Sequence, residues 1–318
     1  MSKKILVTGG AGFIGSNIVD ELIFKKYTVV IIDNLATGSI RNINKKANFY
    51  KVSICDKDEI DRIFKKENFD IVFHLAAQLD VRKSVLDPCF DADVNIKGTL
   101  NILEACKNNK VKKIIFSSSG GTIYGECGLK APDEQATAKP LSPYGVAKLS
   151  VEHYIKAYSA LYGLKYTILR YANVYGPRQD INGEAGVVAI FIGKMVENKE
   201  VFVFGNGKQL RDYVYVKDVV DANIKSLTKG NNEIINIGTQ KTFSVNQLVK
   251  ELSKIINYQK KAIYKPRRSG ELFKSFLNIS KARKVLIWTP KVDIIEGLKK
   301  TVSYFINYKK VLKQMNKK

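Results

Sequence analysis

A β-rich apolar run, Lys4 to Thr8, breaks into Gly9-Gly10-Ala11-Gly12-Phe13-Ile14-Gly15 and then continues with helical apolar spacing to about Lys25. A second such run, Thr28 to Ile32, ends in Asp33. Few folds accept this order, because it makes a β-α-β unit with glycines at the first turn and an acidic residue at the end of the second strand. Gly9 allows the tight turn. Gly12 lets backbone approach a pyrophosphate at the helix N-terminus, where unpaired N–H groups favour an anion, and Gly15 permits close packing of helix on strand. Asp33 accepts hydrogen bonds from an adenosine ribose and repels a 2′-phosphate, so the pattern predicts NAD rather than NADP.

Alternation of strand and helix continues through Phe49–Val52, Lys57–Lys66, Ile71–Leu75, Asp93–Asn108, Lys113–Ser117 and Lys165–Leu169. This predicts an α/β fold built on a doubly wound parallel sheet, with ligands at the carboxyl ends of its strands. Ala76-Ala77, Ser117-Ser118-Ser119 and Asn173 fall at such ends. Beyond about Tyr175 the expected elements shorten: helix 188–198, strand 201–204, helix 217–228, strand 234–237, helix 245–256 and helix 294–305. The reading is a cofactor domain over residues 1–175 and a smaller lobe over 176–318, with 213–226 and 234–237 as segments that fold back onto the first.

Ser142-Pro143-Tyr144-Gly145-Val146-Ala147-Lys148 opens another expected helix, with Ser142 as cap and Pro143 in its first turn. Tyr144 and Lys148 are four apart and therefore leave the same helix face. A lysine near a tyrosine favours phenolate and is expected to lower the phenol from about 10 toward working pH. Such a pair is a usable acid and base.

Bulk properties exclude several classes. The 318 residues are 45% hydrophobic, enough for a large core, and no apolar run reaches the roughly 20 residues of a membrane span. With no signal-peptide core at the start, a cytoplasmic location is expected. Four cysteines without Cys-x-x-Cys spacing, and two histidines, predict reduced thiols and no metal site. The net charge of +23 comes with no nucleic-acid recognition motif and reads as a lysine-rich solvated surface, concentrated near Lys309 to Lys318.

Together these residues resemble an extended short-chain dehydrogenase/reductase, and within it the NAD-dependent nucleotide-sugar epimerase and dehydratase family. The matching segments are Thr8 to Gly15, Asp33-Asn34-Leu35, His74-Leu75-Ala76-Ala77-Gln78, Asn95 to Thr99, Ser117 to Ser119, Ser142 to Lys148, Leu169 to Pro177, Gly205 to Tyr213 and Arg268 to Glu271. The resemblance spans nearly the whole chain and implies a Rossmann-type domain holding NAD, a smaller C-terminal lobe holding a UDP-sugar, and a homodimer formed through the helices of Asn95–Asn108 and Tyr144–Tyr158. It implies cofactor contacts from Gly9, Gly12, Phe13, Ile14, Gly15, Asp33, Asn34, Ser53, Ile54, Leu75, Ala76, Ala77, Asn95, Tyr144 and Lys148. Ser53 stands where many relatives place an Asp for the adenine amino group, and Asp56 reads as a helix cap instead.

The resemblance also implies roles. Tyr144 is the general acid and base, Lys148 tunes it, and Ser119 donates a hydrogen bond to the reacting oxygen. The stretch Gly120-Gly121-Thr122 is one residue longer than the commoner spacing, which leaves Ser118 and Thr122 as alternatives to Ser119. Asn173, Val188, Phe204, Arg211 and Arg268 are the implied substrate contacts, the arginines clamping a diphosphate or, alternatively, forming ion pairs with Asp212 or Glu271. Gly120-Gly121 occupies the place where a 4,6-dehydratase carries Asp-Glu. The expected reaction is C4 epimerisation of a UDP-hexose, with a small residue at Ser275 leaving room for N-acetyl forms. Uronate decarboxylation or epimerisation, dehydration and non-catalytic NAD binding are the alternatives.

Overall fold

The computed structural model describes residues 3–181, 186–268 and 271–315. Ser269 and Gly270 of the Arg268 segment, and Lys317 and Lys318 of the basic tail, lie outside the described residues. The strands, in order, are β1 (Lys4–Thr8), β2 (Thr28–Ile32), β3 (Asn48–Tyr50), β4 (Ile71–His74), β5 (Lys113–Ser119), β6 (Lys165–Tyr171) and β7 (Asn173–Tyr175). They continue as β8 (Phe202–Phe204), β9 (Leu210–Arg211), β10 (Tyr213–Tyr215), β11 (Glu233–Ile237), β12 (Phe243–Ser244), β13 (Ile263–Lys265) and β14 (Lys274–Ser275). Seven of them form one sheet in the order β11-β6-β5-β4-β1-β2-β3, and every neighbouring pair is parallel. The Ile234–Ile237 segment thus joins the main sheet as an edge strand. Strand order reverses between β1 and β4, which opens a crevice at their carboxyl ends.

The helices are α1 (Phe13–Phe24), α2 (Lys57–Glu67), α3 (Val81–Leu86), α4 (Pro88–Ala92), α5 (Gly98–Asn108), α6 (Gly120–Ile123), α7 (Pro143–Tyr162), α8 (Val187–Val196), α9 (Val216–Lys225), α10 (Val245–Ile256) and α11 (Ile294–Met315). The helical stretch expected from Asp93 starts earlier: Asp87 accepts from the Phe90 N–H (2.9 Å), Pro88 takes the first turn, and a π-turn over Asp93–Lys97 joins α4 to α5. Five residues of α4 carry too little periodicity to announce a helix. The last helix runs past the expected Phe305 to Met315, since its lysine-rich sequence still favours helix.

Alternation along the strands divides the core in two. Ile5, Val7, Ile31, Phe73 and Ile115 face the layer that holds α1, while Leu6, Val30, Val72, Ile114 and Phe116 face the layer that holds α2, α5 and α7. Both faces are covered, which is why the strands read as unbroken apolar runs. The first cluster continues through Val203, Leu248, Leu252, Trp288 and Leu298, so one core runs on into the C-terminal elements. Among the described residues no helix is long and apolar enough to cross a membrane.

Candidate active site

The crevice begins with the glycine turn. Gly9 has φ +71°, and a Cβ there would lie 2.7 Å from the Ala76 nitrogen; at Gly15 a Cβ would come 2.2 Å from the Gly9 carbonyl oxygen. Side chains at these two positions would close the turn on itself. Gly12 is the N-cap of α1 and has no side-chain cap, so the helix N-terminus meets the crevice as bare backbone beside Phe13 and Ile14. Asp33 is 8% exposed, and its two oxygens accept from the Ala11 N–H (3.0 Å) and the Leu35 N–H (2.8 Å). The carboxylate is thereby fixed at the end of β2, with a further lone pair on each oxygen. A bare helix N-terminus after β1 and an anchored acidic group at the end of β2 fit NAD. Asp33→Asn, which keeps one oxygen and removes the charge, should reduce the preference for NAD over NADP about tenfold or more, read by equilibrium binding of both.

Next to Asp33, Asn34 is exposed and accepts from the Ala36 N–H (3.0 Å), while Ser53 accepts from the Cys55 N–H (3.2 Å). Ile54 is buried against α5, and its carbonyl takes the Asn101 amide (3.0 Å). Asp56 caps α2 by accepting from the Glu59 N–H (3.2 Å).

The Leu75-Ala76-Ala77 segment is set by a buried histidine. Both the Leu75 and Ala76 N–H groups donate to Thr8 Oγ1 (3.2 Å each), so the hydroxyl proton goes to His74 Nδ1 (2.7 Å). The ring proton therefore sits on Nε2 and is given to Thr99 Oγ1 (2.9 Å), which in turn donates to the Asn95 carbonyl (2.6 Å). Burial, helped by the Lys148 charge, holds His74 neutral with its pKa near 3. Asn95, expected among the cofactor contacts, is 3% exposed with its amide spent inside the protein. Its Oδ1 accepts from the Gln78 N–H (2.9 Å), and its Nδ2 donates to the Gln78 carbonyl (3.0 Å) and to Asp91 (2.9 Å). It orders the 76–78 loop rather than opening onto the crevice.

α7 carries the tyrosine and lysine. Ser142 caps it by accepting from the Gly145 N–H (3.2 Å), and Pro143 takes its first turn. The Tyr144 N–H, left unpaired by the helix, donates to Ser84 Oγ of α3 (3.2 Å). Lys148 is 4% exposed; its Nζ donates to the Ser117 carbonyl (3.0 Å) and lies 5.7 Å from the centre of the Tyr144 ring. Their electrostatics differ from the expectation. Burial, with the charge of Asp91, pushes the Tyr144 phenol above its ordinary value, and burial pulls Lys148 down to about 8. Desolvation dominates, and the phenol is protonated at neutral pH.

At the end of β5 the three hydroxyl candidates separate. Ser118 is 3% exposed and donates to Glu152 Oε1 (2.6 Å), which removes it from the crevice. Ser119 and Thr122 remain. The Thr122 Oγ1 is buried without a partner, and a Cβ on Gly121 would lie 3.9 Å from Ser119 Oγ and 3.8 Å from the Asn173 amide oxygen. Ser119 and Asn173 therefore flank the same opening.

Beyond β8 the Arg268 guanidinium stacks on the Phe204 ring, 3.6 Å from its centre. Beside them is a cavity of about 260 Å³ lined by Phe204, Gly205, Asn206, Gln209, Arg267 and Glu271, among others. Arg211, expected as a phosphate clamp, turns its guanidinium onto the carbonyls of Leu272 (2.6 Å) and Phe273 (3.3 Å) and lies 3.8 Å from Glu271, so in this conformation it braces the 271–273 segment. Val188 is 1% exposed, its side chain in the core, so it offers at most the backbone of the first turn of α8. Ser275 is buried on β14 beside Arg211.

A family model described as the NAD dependent epimerase/dehydratase family matches residues 5–238. The chain belongs to that family. It is 50% identical over 303 residues to a putative UDP-glucose 4-epimerase of Methanocaldococcus jannaschii, covering 95% of this chain and 98% of the relative. A crystal structure of the UDP-glucose 4-epimerase of Thermotoga maritima with UDP-glucose is 52% identical and superposes with a TM-score of 0.95, covering 96% of this chain and 99% of the other. That of Thermus thermophilus, in complex with NAD, is 40% identical with a TM-score of 0.91 over 95% and 99%.

The sequence reading of this epimerase/dehydratase missed a second layer of residues. Ser84 of α3, Asp91 of α4 and Arg170 of β6 reach the tyrosine–lysine helix from three other elements, and Glu152 lies on the helix itself. Glu152 and Arg170 are 0% and 4% exposed and form a two-point pair, Nε to Oε1 at 2.9 Å and Nη2 to Oε2 at 2.5 Å. Arg170 also donates to the Tyr124 hydroxyl (2.8 Å), which donates to Asn236 Oδ1 (2.9 Å) on the edge strand. Only the spacing of Glu152, four residues beyond Lys148 on the same helix face, offered a signal.

Proposed function

We propose that this chain interconverts UDP-glucose and UDP-galactose by epimerisation at C4, through a transient 4-keto sugar. The observation that carries this reading is the placement of Tyr144 and Lys148 on one buried helix face, with Ser119 at the neighbouring strand end, across from a glycine turn that fits NAD. NAD, when bound, supplies the nicotinamide that takes hydride from C4 and returns it to the opposite face. Tyr144 takes the proton of the 4-hydroxyl and gives it back after the sugar has turned. Ser119 donates a hydrogen bond to the same oxygen and stabilises negative charge as it develops there. Lys148, pinned to the Ser117 carbonyl, keeps a positive charge near the phenolate and is the group suited to the cofactor ribose. Asn173 and the Phe204–Arg268 stack are suited to hold the diphosphate and base, with the arginine fork matching phosphate oxygens.

Gly120-Gly121 offers no acid and base for loss of water, and support for epimerisation over dehydration rests there. The deciding experiment incubates purified protein with UDP-glucose, UDP-galactose and their N-acetyl counterparts without added reductant and separates the products by chromatography. Interconversion of the hexose pair is expected; an unchanged pair, or a dehydrated product, would refute the reading. We further propose a homodimer through α5 and α7, whose outward face exposes Tyr154, Leu161 and Tyr162. Sedimentation should then give twice the 35.7 kDa chain mass. Free thiols at all four cysteines are in keeping with a cytoplasmic enzyme.

A further inference from the structure

Asp91 is a carboxylate without the compensation that burial requires. It is 1% exposed on α4, which packs against α7, and its Oδ1 accepts from Gln78 Nε2 (2.9 Å) and Asn95 Nδ2 (2.9 Å). Its Oδ2 is buried with no hydrogen-bond partner. Leaving a carboxylate oxygen bare in the interior costs several kcal/mol unless a positive charge stands near.

The surrounding charges narrow the choice. On α7, Glu152 is already neutralised by Arg170 of β6. His74 of β4 is neutral. The π-turn offers Asp93 and Lys97, an exposed pair of their own, and on α3 Arg82 pairs with Asp80 while Lys83 lies over the Phe90 ring. From α5, Glu104 pairs with Lys107. What remains is Lys148, whose ammonium donates to the neutral Ser117 carbonyl and feels the charge of Asp91.

We propose that Asp91 is a positioning residue for the tyrosine–lysine pair: its buried carboxylate, held by Gln78 and Asn95 on the helix packed against α7, is the counter-charge to the Lys148 ammonium. Asp91, Lys148 and Tyr144 then form a buried group of zero net charge. A further positive charge in the crevice would favour phenolate. The Asn95 and Gln78 amides hold the carboxylate in this place, which gives the buried Asn95 a purpose other than a ligand contact.

The inference concerns the protein without cofactor and does not rest on the epimerase reading. Its test is a titration of cofactor-free protein labelled with [ε-¹³C]lysine, the Lys148 resonance being identified by its loss in Lys148→Met. In Asp91→Asn the amide oxygen can still accept from Gln78 and Asn95, and only the charge is removed. Loss of a nearby negative charge lowers an ammonium pKa, so the Lys148 midpoint, near 8 in the parent, should fall by about half a unit or more. A purely structural role for Asp91 predicts an unchanged midpoint, and that result would overturn the proposal. Wild-type protein gives a second reading should the variant fold poorly: protonation of Asp91 at acid pH must shift the Lys148 resonance, and a flat acid limb would overturn it equally.

Discussion

Tyr144→Phe should lower the interconversion of UDP-glucose and UDP-galactose by about 10³-fold, the range expected when a general acid and base is removed. Cofactor binding should persist. The substitution deletes one oxygen, while the ring keeps its place because Ser142 caps the helix and the Tyr144 N–H remains bonded to Ser84. The loss should fall on kcat, with KM little changed, since the phenolic oxygen acts on the reacting hydroxyl and not on the distant diphosphate. Steady-state kinetics of the variant, with cofactor content read by absorbance after denaturation, make the check. Turnover within a few-fold of the parent would show that another group moves the proton. Thr122, whose hydroxyl is buried and unpartnered near the same helix, would then be the next candidate.

The second large effect is on stability. Arg170→Met should cost about 3–5 kcal/mol, because Glu152 would be left at 0% exposure with its charge uncompensated and only the Ser118 hydroxyl as a donor. For a chain of this size that corresponds to a fall in Tm of roughly 5–10 °C. Adding Glu152→Gln should restore much of the loss, since the orphaned charge and not the missing contact dominates the penalty. Thermal unfolding of the two single variants and the double variant completes the cycle. Equal destabilisation in single and double variants would mean that packing around Tyr124 and Asn236, and not charge, sets the cost.

Both expectations show why part of the site was legible and part was not. The glycine turn, Asp33, the capped α7 and the Tyr144–Lys148 spacing are local: each depends on a few neighbouring residues and a backbone geometry that those residues nearly dictate. Such features survive being read along a line. Ser84, Asp91 and Arg170 reach α7 from α3, α4 and β6, and nothing in their own neighbourhoods marks them. Asn95 shows the converse. Its motif suggested a ligand contact, yet the π-turn over Asp93–Lys97 directs its amide into the 76–78 loop and Asp91. Arg211 likewise sits in the expected motif but is turned onto the carbonyls of residues 272 and 273, which lie about sixty positions further along the chain.

By itself, the order of residues determined the parallel α/β architecture, the glycine turn at the start of α1 and the shared helix face of Tyr144 and Lys148, since each follows from short-range sterics, hydrogen bonding and the period of apolar side chains. Tertiary structure alone decided the protonation of that pair. Desolvation, with the Asp91 carboxylate of α4, leaves Tyr144 a neutral phenol, and desolvation brings Lys148 near 8, opposite to what their spacing suggested for the tyrosine. The free energy of a buried charge depends on everything within several ångströms of it, and that neighbourhood exists only once distant segments have packed together.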